Sequence, residues 1–303
     1  MNPQFLMDGL IAGAIIGLGA VGVTLTYSIL RFANFAHGEL LSWGAYLALG
    51  ISSALGVLGA GMTTPLGPFS FGWSLPIAAL LAIALTGLLA RAVDAALFSS
   101  FRRRGSAIII MVMASFGASL ALRSLLEFLF TSKPAYFSQA LQIAMKLGLG
   151  LRATPDQLAM LAVALISVVT VHLVMTRTDI GRAMRAVSEN PGLAGIAGID
   201  VRRVIRTAWF LGAALACIAG IMSGLIIQIR PYLGHDLLLP LFAAAILGGI
   251  GSVPGAMIAG LLIGLAEAFT VQLIGAEWRA AVSFAILIAV LLVRPRGLFG
   301  KAA

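Results

Sequence analysis

Few side chains in this sequence could do chemistry, and their company decides what that chemistry would be. Asn34, His37 and Glu39 stand together in Asn34-Phe35-Ala36-His37-Gly38-Glu39, between the first two long apolar runs. A carboxylate and an imidazole at that spacing can line a polar pathway, clamp a bent backbone by hydrogen bonds, or sit in water as a simple loop. Depth would separate these readings, because a carboxylate costs roughly 2–3 kcal/mol at the centre of a membrane helix. Glu267 lies within another apolar stretch with no basic residue near it in sequence. It must be neutral, paired across helices, or facing water. Asp8 suits an interfacial helix N-terminus. His172, between Val171 and Leu173, reads as a hydrogen-bonded packing residue. No set of Asp, Glu and His has the spacing of a metal site or proton relay, and no nucleophile stands beside a base. The expectation is therefore no catalytic residue and no metal ligand. Cys217 is the single cysteine, which excludes an internal disulfide.

A further absence is informative. The phosphate loop G-x-x-x-x-G-K-[ST] occurs nowhere, and none of Lys133, Lys146 and Lys301 follows a glycine-rich turn of that kind. The chain is expected to bind no cofactor itself. Any work driven by ATP and Mg would have to come from partner chains.

The connector 177–206 is the most structured of the polar segments. It carries six arginines against three acids. Within it, Asn190 is a good helix N-cap, Pro191 suits the first helical position, and Gly198 can close the helix in the left-handed region. Ala194 and Gly195 give the short helix a small surface, and Gly181, Arg182, Arg185 and Glu189 precede it. A capped helix of about two turns flanked by arginines is shaped either to dock into another protein's groove or to act as an amphipathic connector. Its length exceeds what a tight helix–helix connection needs, which favours docking.

The elements that must position these residues are helices in a bilayer. Of 303 residues, 60% are hydrophobic and only 10% charged, with a mean hydropathy of +1.06. A soluble domain this poor in charge would expose too much apolar surface. Runs long enough to cross, roughly 20 residues each, occur at about 8–30, 40–60, 74–98, 106–130, 157–176, 204–228 and 278–293. The stretch 238–274 is interrupted by Gly248, Gly249, Gly251, Pro254 and Gly255, which cannot continue a helix smoothly. The sequence thus predicts an all-α polytopic membrane protein of eight or nine segments, one of them broken near 248–255, in a single domain over residues 1–303.

The net charge of +9 is not spread as nucleic-acid binding requires. It gathers at Arg102-Arg103-Arg104, at 177–206, and at Arg294, Arg296 and Lys301, all predicted to be cytoplasmic. The uncharged connector at about 51–72 falls outside. Parity then places the N-terminus and the connector 131–156 outside as well, and demands an extra crossing within 238–274. The first apolar run reads as an uncleaved span, since no basic segment precedes it. Gly9, Gly13 and Gly17 form one small-residue face, and Gly220 and Gly224 repeat it once, as close helix contacts require.

Four segments together resemble a known family. Asn34–Glu39 with Gly44-Ala45-Tyr46, Gly181-Arg182-Ala183-Met184-Arg185-Ala186 through Gly198-Ile199, Ala245 through Ala256, and Arg294-Pro295-Arg296-Gly297-Leu298-Phe299-Gly300 are similar, in that order, to the branched-chain amino-acid ABC transporter permeases of the LivH type. The resemblance implies a non-catalytic permease of a bacterial inner membrane. It would work with a LivM-like second permease subunit, two ATPase subunits and a periplasmic substrate-binding protein. It also implies that 181–199 meets the ATPase. Substrates carried by such relatives include branched-chain and other amino acids, urea and short amides, and aromatic acids. A secondary transporter acting alone is the rival reading.

Overall fold

The computed structural model describes residues 3–59, 61–138, 142–148, 150–294 and 297–299. Of the C-terminal basic cluster and motif, Pro295, Arg296, Gly300 and Lys301 lie outside the described residues. The chain is built from helices α1 (Gln4–Leu30), α2 (Ala36–Leu58), α3 (Ser74–Val93), α4 (Ser99–Arg103), α5 (Ile108–Phe130), α6 (Pro155–Arg177), α7 (Asp179–Glu189), α8 (Pro191–Ile196), α9 (Val201–Ile226), α10 (Leu233–Gly248), α11 (Val253–Leu273) and α12 (Arg279–Val293). A π-turn, Asp94–Phe98, joins α3 to α4 without interrupting the rod. A two-stranded hairpin, β1 (Met145–Gly148) and β2 (Leu151–Ala153), sits in the connector before α6. Hydropathy gave no sign of it.

Among the described residues, eight helices are long and apolar enough to cross a bilayer, and α10 is a shorter apolar helix of 16 residues. At 1.5 Å per residue α10 reaches about 24 Å, close to a hydrocarbon core of about 30 Å. The break before α11 is narrower than its glycines and proline suggest. Only Gly249–Ser252 leave the helix, with Gly249 at φ +90° and Gly251 at φ +89°, a region costly for any side chain. Gly248 is the last residue of α10, while Pro254 and Gly255 belong to the first turn of α11, where proline lacks no hydrogen bond the helix needs. Ser252 caps that turn through Gly255 N–H at 3.1 Å.

The core forms around α1, which is almost wholly enclosed by other helices. Its predicted small face meets a second one, not singled out from the sequence, formed by Gly260 and Gly264 of α11. A Cβ on Gly264 would lie 2.3 Å from the Gly13 nitrogen, and one on Gly260 would lie 2.3 Å from the Gly17 Cα. The two backbones are therefore in direct contact, antiparallel, from Gly9 to Gly17, about two turns. In lipid, where no hydrophobic force drives helices together, such contact supplies the dispersion that does.

The connectors sort to two ends. At one, Phe32 packs tilted against Phe98 at 5.2 Å, Phe98 stacks on Trp209 at 5.5 Å, and Gly251 N–H donates to Thr24 Oγ1 at 2.9 Å. This end gathers Arg31, Arg102–Arg104 and the connector 177–206. At the other, Ser70 N–H and Gln142 Nε2 donate to Asp156 at 3.1 and 2.8 Å, and Gln4 exchanges hydrogen bonds with Arg152 in the hairpin at 2.9 Å each.

Candidate functional site

At the arginine-rich end, the start of α8 is prepared residue by residue. Asn190 Oδ1 accepts from Gly192 N–H and Leu193 N–H, each at 3.0 Å, and Pro191 occupies the first turn. Gly198 follows at φ +86°, in the left-handed region its closing role requires. Upstream, Gly181 packs so tightly on the α6 terminus that a Cβ would meet the Met175 carbonyl at 2.3 Å. Arg185 also donates to the Met175 carbonyl, and Arg182 pairs with Asp179 on the surface. Gly181 and Arg185 thus set the α6–α7 corner, and α8 is what projects from it. Leu193 and Ile196 of α8 are exposed, and a Cβ on Gly195 would touch nothing within 4 Å. Ala194 differs from the expectation. It is buried beneath the helix, because the 1.7-turn helix has an inner face and Ala194 is on it.

Sequence reasoning overlooked the residue that ties α8's base to the membrane core. Arg31 ends α1 at φ +57°, and its Nη2 donates to the Ser188 carbonyl at 2.9 Å and the Glu189 carbonyl at 2.8 Å. Those carbonyls end α7, where a cation is favoured by the helix dipole. A lone arginine following an apolar span was the available signal. Replacing Asn190 by Ala should loosen α8 by about 0.5–2 kcal/mol, seen as faster hydrogen exchange at the Gly192 and Leu193 amides.

The Asn34–Glu39 segment is not a loop in water. Ala36 begins α2, so Glu39 lies inside the helix and is only 1% exposed. The apolar-run boundary at 40 missed this because polar residues at a helix start lower the local hydropathy. Asn34 Oδ1 accepts from Ala36 N–H at 3.2 Å and starts the helix. Glu39 Oε1 accepts from Ser119 Oγ at 3.0 Å and from Arg123 Nε and Nη2 at 3.2 and 2.7 Å, across to α5. Arg123 also lies 4.9 Å over the Tyr232 ring at the start of α10. His37 fills the crossing of α1 and α9, where a Cβ on Gly22 would meet its ring at 2.9 Å. Neither of its ring nitrogens meets hydrogen-bond geometry, and the Gly19 carbonyl is the acceptor beside it. These residues form a clamp joining α1, α2, α5, α9 and α10. Arg123 had escaped notice although it interrupts an apolar run, and an arginine there always needs a partner.

Glu267 belongs to a different place. It is 2% exposed and accepts from Arg279 Nε at 2.7 Å and from the Ser283 hydroxyl, both on α12. Of the alternatives open in sequence, pairing across helices is the one realised. Glu267 and Arg279 help line a cavity of about 970 Å³ at the end opposite α8, walled by the adjacent ends of α1, α9, α10, α11 and α12. Asp8 lines it too, whereas Asn34, His37 and Glu39 do not. His172 faces outward from α6 instead of packing within the chain. Gly220 of the second small-residue pair presses on the Leu41 carbonyl of α2. Among the described residues, no group of His, Cys, Asp and Glu could hold a metal ion.

The family model for branched-chain amino acid transport system permease components matches residues 5–291, almost the whole chain. The chain belongs to this permease family. The permease is 32% identical to the high-affinity branched-chain amino acid transport system permease LivH of Escherichia coli, over 99% of this chain and 98% of the relative. It is also 32% identical to the permease BraD of Pseudomonas aeruginosa, over 98% and 95% of the two chains. A probable LivH of Methanocaldococcus jannaschii shares 27% identity over 99% and 93%. The permease is thus a multi-pass membrane protein and a transport subunit, with a cavity at one end of α1 and a presented helix at the other.

Proposed function

We propose that this permease carries aliphatic α-amino acids across a bacterial inner membrane as one half of an ABC importer. Its partners in this reading are a second permease chain, two ATPase subunits that bind ATP and Mg, and a periplasmic protein that delivers the substrate. The basic end faces the cytoplasm, by the excess of arginine in its connectors, and the cavity then opens toward the periplasm. The observation that carries the reading is the position of α8. It is capped, exposes Leu193 and Ile196, and is fastened at its base to α1 through Arg31. A push on α8 from an ATPase is thereby passed to α1, whose other end lines the cavity. Lipid covers the remaining apolar faces.

The cavity supports the substrate class. It sets ionised groups of both signs, Arg230, Arg279, Asp8 and Asp236, among aliphatic walls from Ile11, Ile15 and Val271. A zwitterion with an apolar side chain matches that mixture better than urea, which carries no charge and no apolar side chain.

Gly195→Arg tests the coupling. A side chain there meets open space within the chain, so folding should be untouched. In proteoliposomes with the four partner proteins, ATP-driven amino-acid uptake should fall at least about tenfold, the effect of burying an unpaired charge in a docking groove. Uptake at the unmodified rate would sink the coupling role of α8. Ala194→Arg is the weaker test, since Ala194 is buried and its loss would disturb the helix itself.

A further inference from the structure

We propose that Arg279 is the carboxylate anchor of a transient α-amino-acid site in the outer cavity, with the guanidinium aimed by Glu267 and Ser283. The inference rests on the substrate class proposed above and adds the residue that recognises it. Arg279 uses only its Nε–H toward Glu267, at 2.7 Å. Its two Nη groups form no hydrogen bond among the described residues and its side chain is 43% exposed, in contrast to the 2% of its partner. A guanidinium presents five donors in a rigid fork that matches a carboxylate two bonds at a time. Held along one edge, the fork offers the other edge to the cavity.

The holding group is itself held. Glu267 accepts from Ser283 on the next turn of α12, so the carboxylate cannot turn away to water. That is the arrangement of a positioning residue behind a binding residue. The other cavity arginine lacks it. Arg230 pairs with Asp236 at 2.9 Å, but both side chains are about half exposed, at 48% and 47%, and such pairs are mobile and screened.

The remaining surfaces suit the rest of an amino acid. Asp8 of α1 lines the same cavity, and its described contact is one long hydrogen bond of 3.3 Å from Gln4, which leaves it free to receive an ammonium. Ile11 and Ile15, one and two turns deeper on the same helix, face the cavity as an apolar floor. A site built from one ion pair and a partly open cavity holds substrate weakly, as release to the next step requires.

The experiment is saturation-transfer NMR on the assembled transporter in nanodiscs, without the binding protein, using L-leucine, L-leucinamide and 3-methylbutylamine as probes. L-Leucine should receive saturation several times more strongly than the two probes that lack a carboxylate. Arg279→Lys keeps a cation beside Glu267 but loses the fork, and should weaken leucine binding by about tenfold or more. The double variant Glu267→Gln with Arg279→Gln removes both charges together and leaves no buried ion unpaired, so it should assemble and lose the preference for leucine over leucinamide. Equal saturation of the three probes, or an unchanged preference in the double variant, overturns the proposal. Uptake by the unmodified transporter separates the two levels. No ATP-driven uptake of any aliphatic amino acid would sink the substrate class, whereas uptake of leucine with unaltered NMR in the double variant would sink Arg279 alone.

Discussion

Arg123→Leu should destabilise the permease by about 3–5 kcal/mol, the penalty for leaving one member of a buried ion pair without the other. Glu39 would keep only the Ser119 hydroxyl on Oε1, and its Oε2 already makes no hydrogen bond. Glu39 is 1% exposed, so solvent is not at hand to compensate. The loss would spread, because Arg123 also covers the Tyr232 ring and so touches α2, α5 and α10 together. A fall in the detergent melting midpoint, with reduced recovery of folded protein, is the measurement. Adding Glu39→Gln to Arg123→Leu should restore part of the loss, since the orphaned charge is gone while the Ser119 bond survives. If the double variant is no more stable than the single one, the clamp is not held by charge.

This clamp illustrates how the sequence and the structure divide the information. Hydropathy located the spans, and glycine and proline located the break before α11, because solvent preference and backbone freedom are local properties. Capping was equally legible. Asn190, Pro191 and Gly198 each act on a neighbour within a few residues, and each does what its type predicted. What stayed hidden was the identity of partners. Glu39 needed a cation, but Arg123 lies 84 positions away, and only the packing of α5 on α2 brings it near. Glu267 and Arg279 are 12 positions apart. They meet because α12 folds back at Gly275, at φ +117°, a reversal that apolar periodicity does not register.

The cavity was less legible still. It is lined by the ends of helices, where hydropathy windows average polar and apolar residues together, and its charges come from residues as far apart in sequence as Asp8 and Arg279. Asp8 read as a simple interfacial residue because the residues that line the cavity with it, on α10, α11 and α12, are remote in sequence. The hairpin before α6 escaped for a similar reason. It is only seven residues of strand, tied down by Gln4 of α1 and not by any pattern of its own.

Gly264→Leu should be severely damaging to the membrane core. Its Cβ alone would sit 2.3 Å from the Gly13 nitrogen and 2.4 Å from the Gly13 Cα, and backbone atoms cannot step aside as a flexible side chain can. Gly264→Ala should already cost about 1–3 kcal/mol, the usual range for overpacking. Leucine adds three carbons more and should push α1 off α11, giving aggregated or degraded protein by fluorescence-detected size exclusion. Gly117→Leu on α5 is the control, since a Cβ there meets nothing within 4 Å and the chain should fold as before. Equal yields from the two variants would show that the α1–α11 contact bears no load. The consequence for transport follows from what α1 joins. Arg31 at one end grips the carbonyls below α8, and Asp8 at the other end faces the cavity. In the proposed coupling α1 carries motion between those points and so has to be stiffly seated along its length, and a seam of glycine backbones allows closer, stiffer seating than interdigitated side chains would.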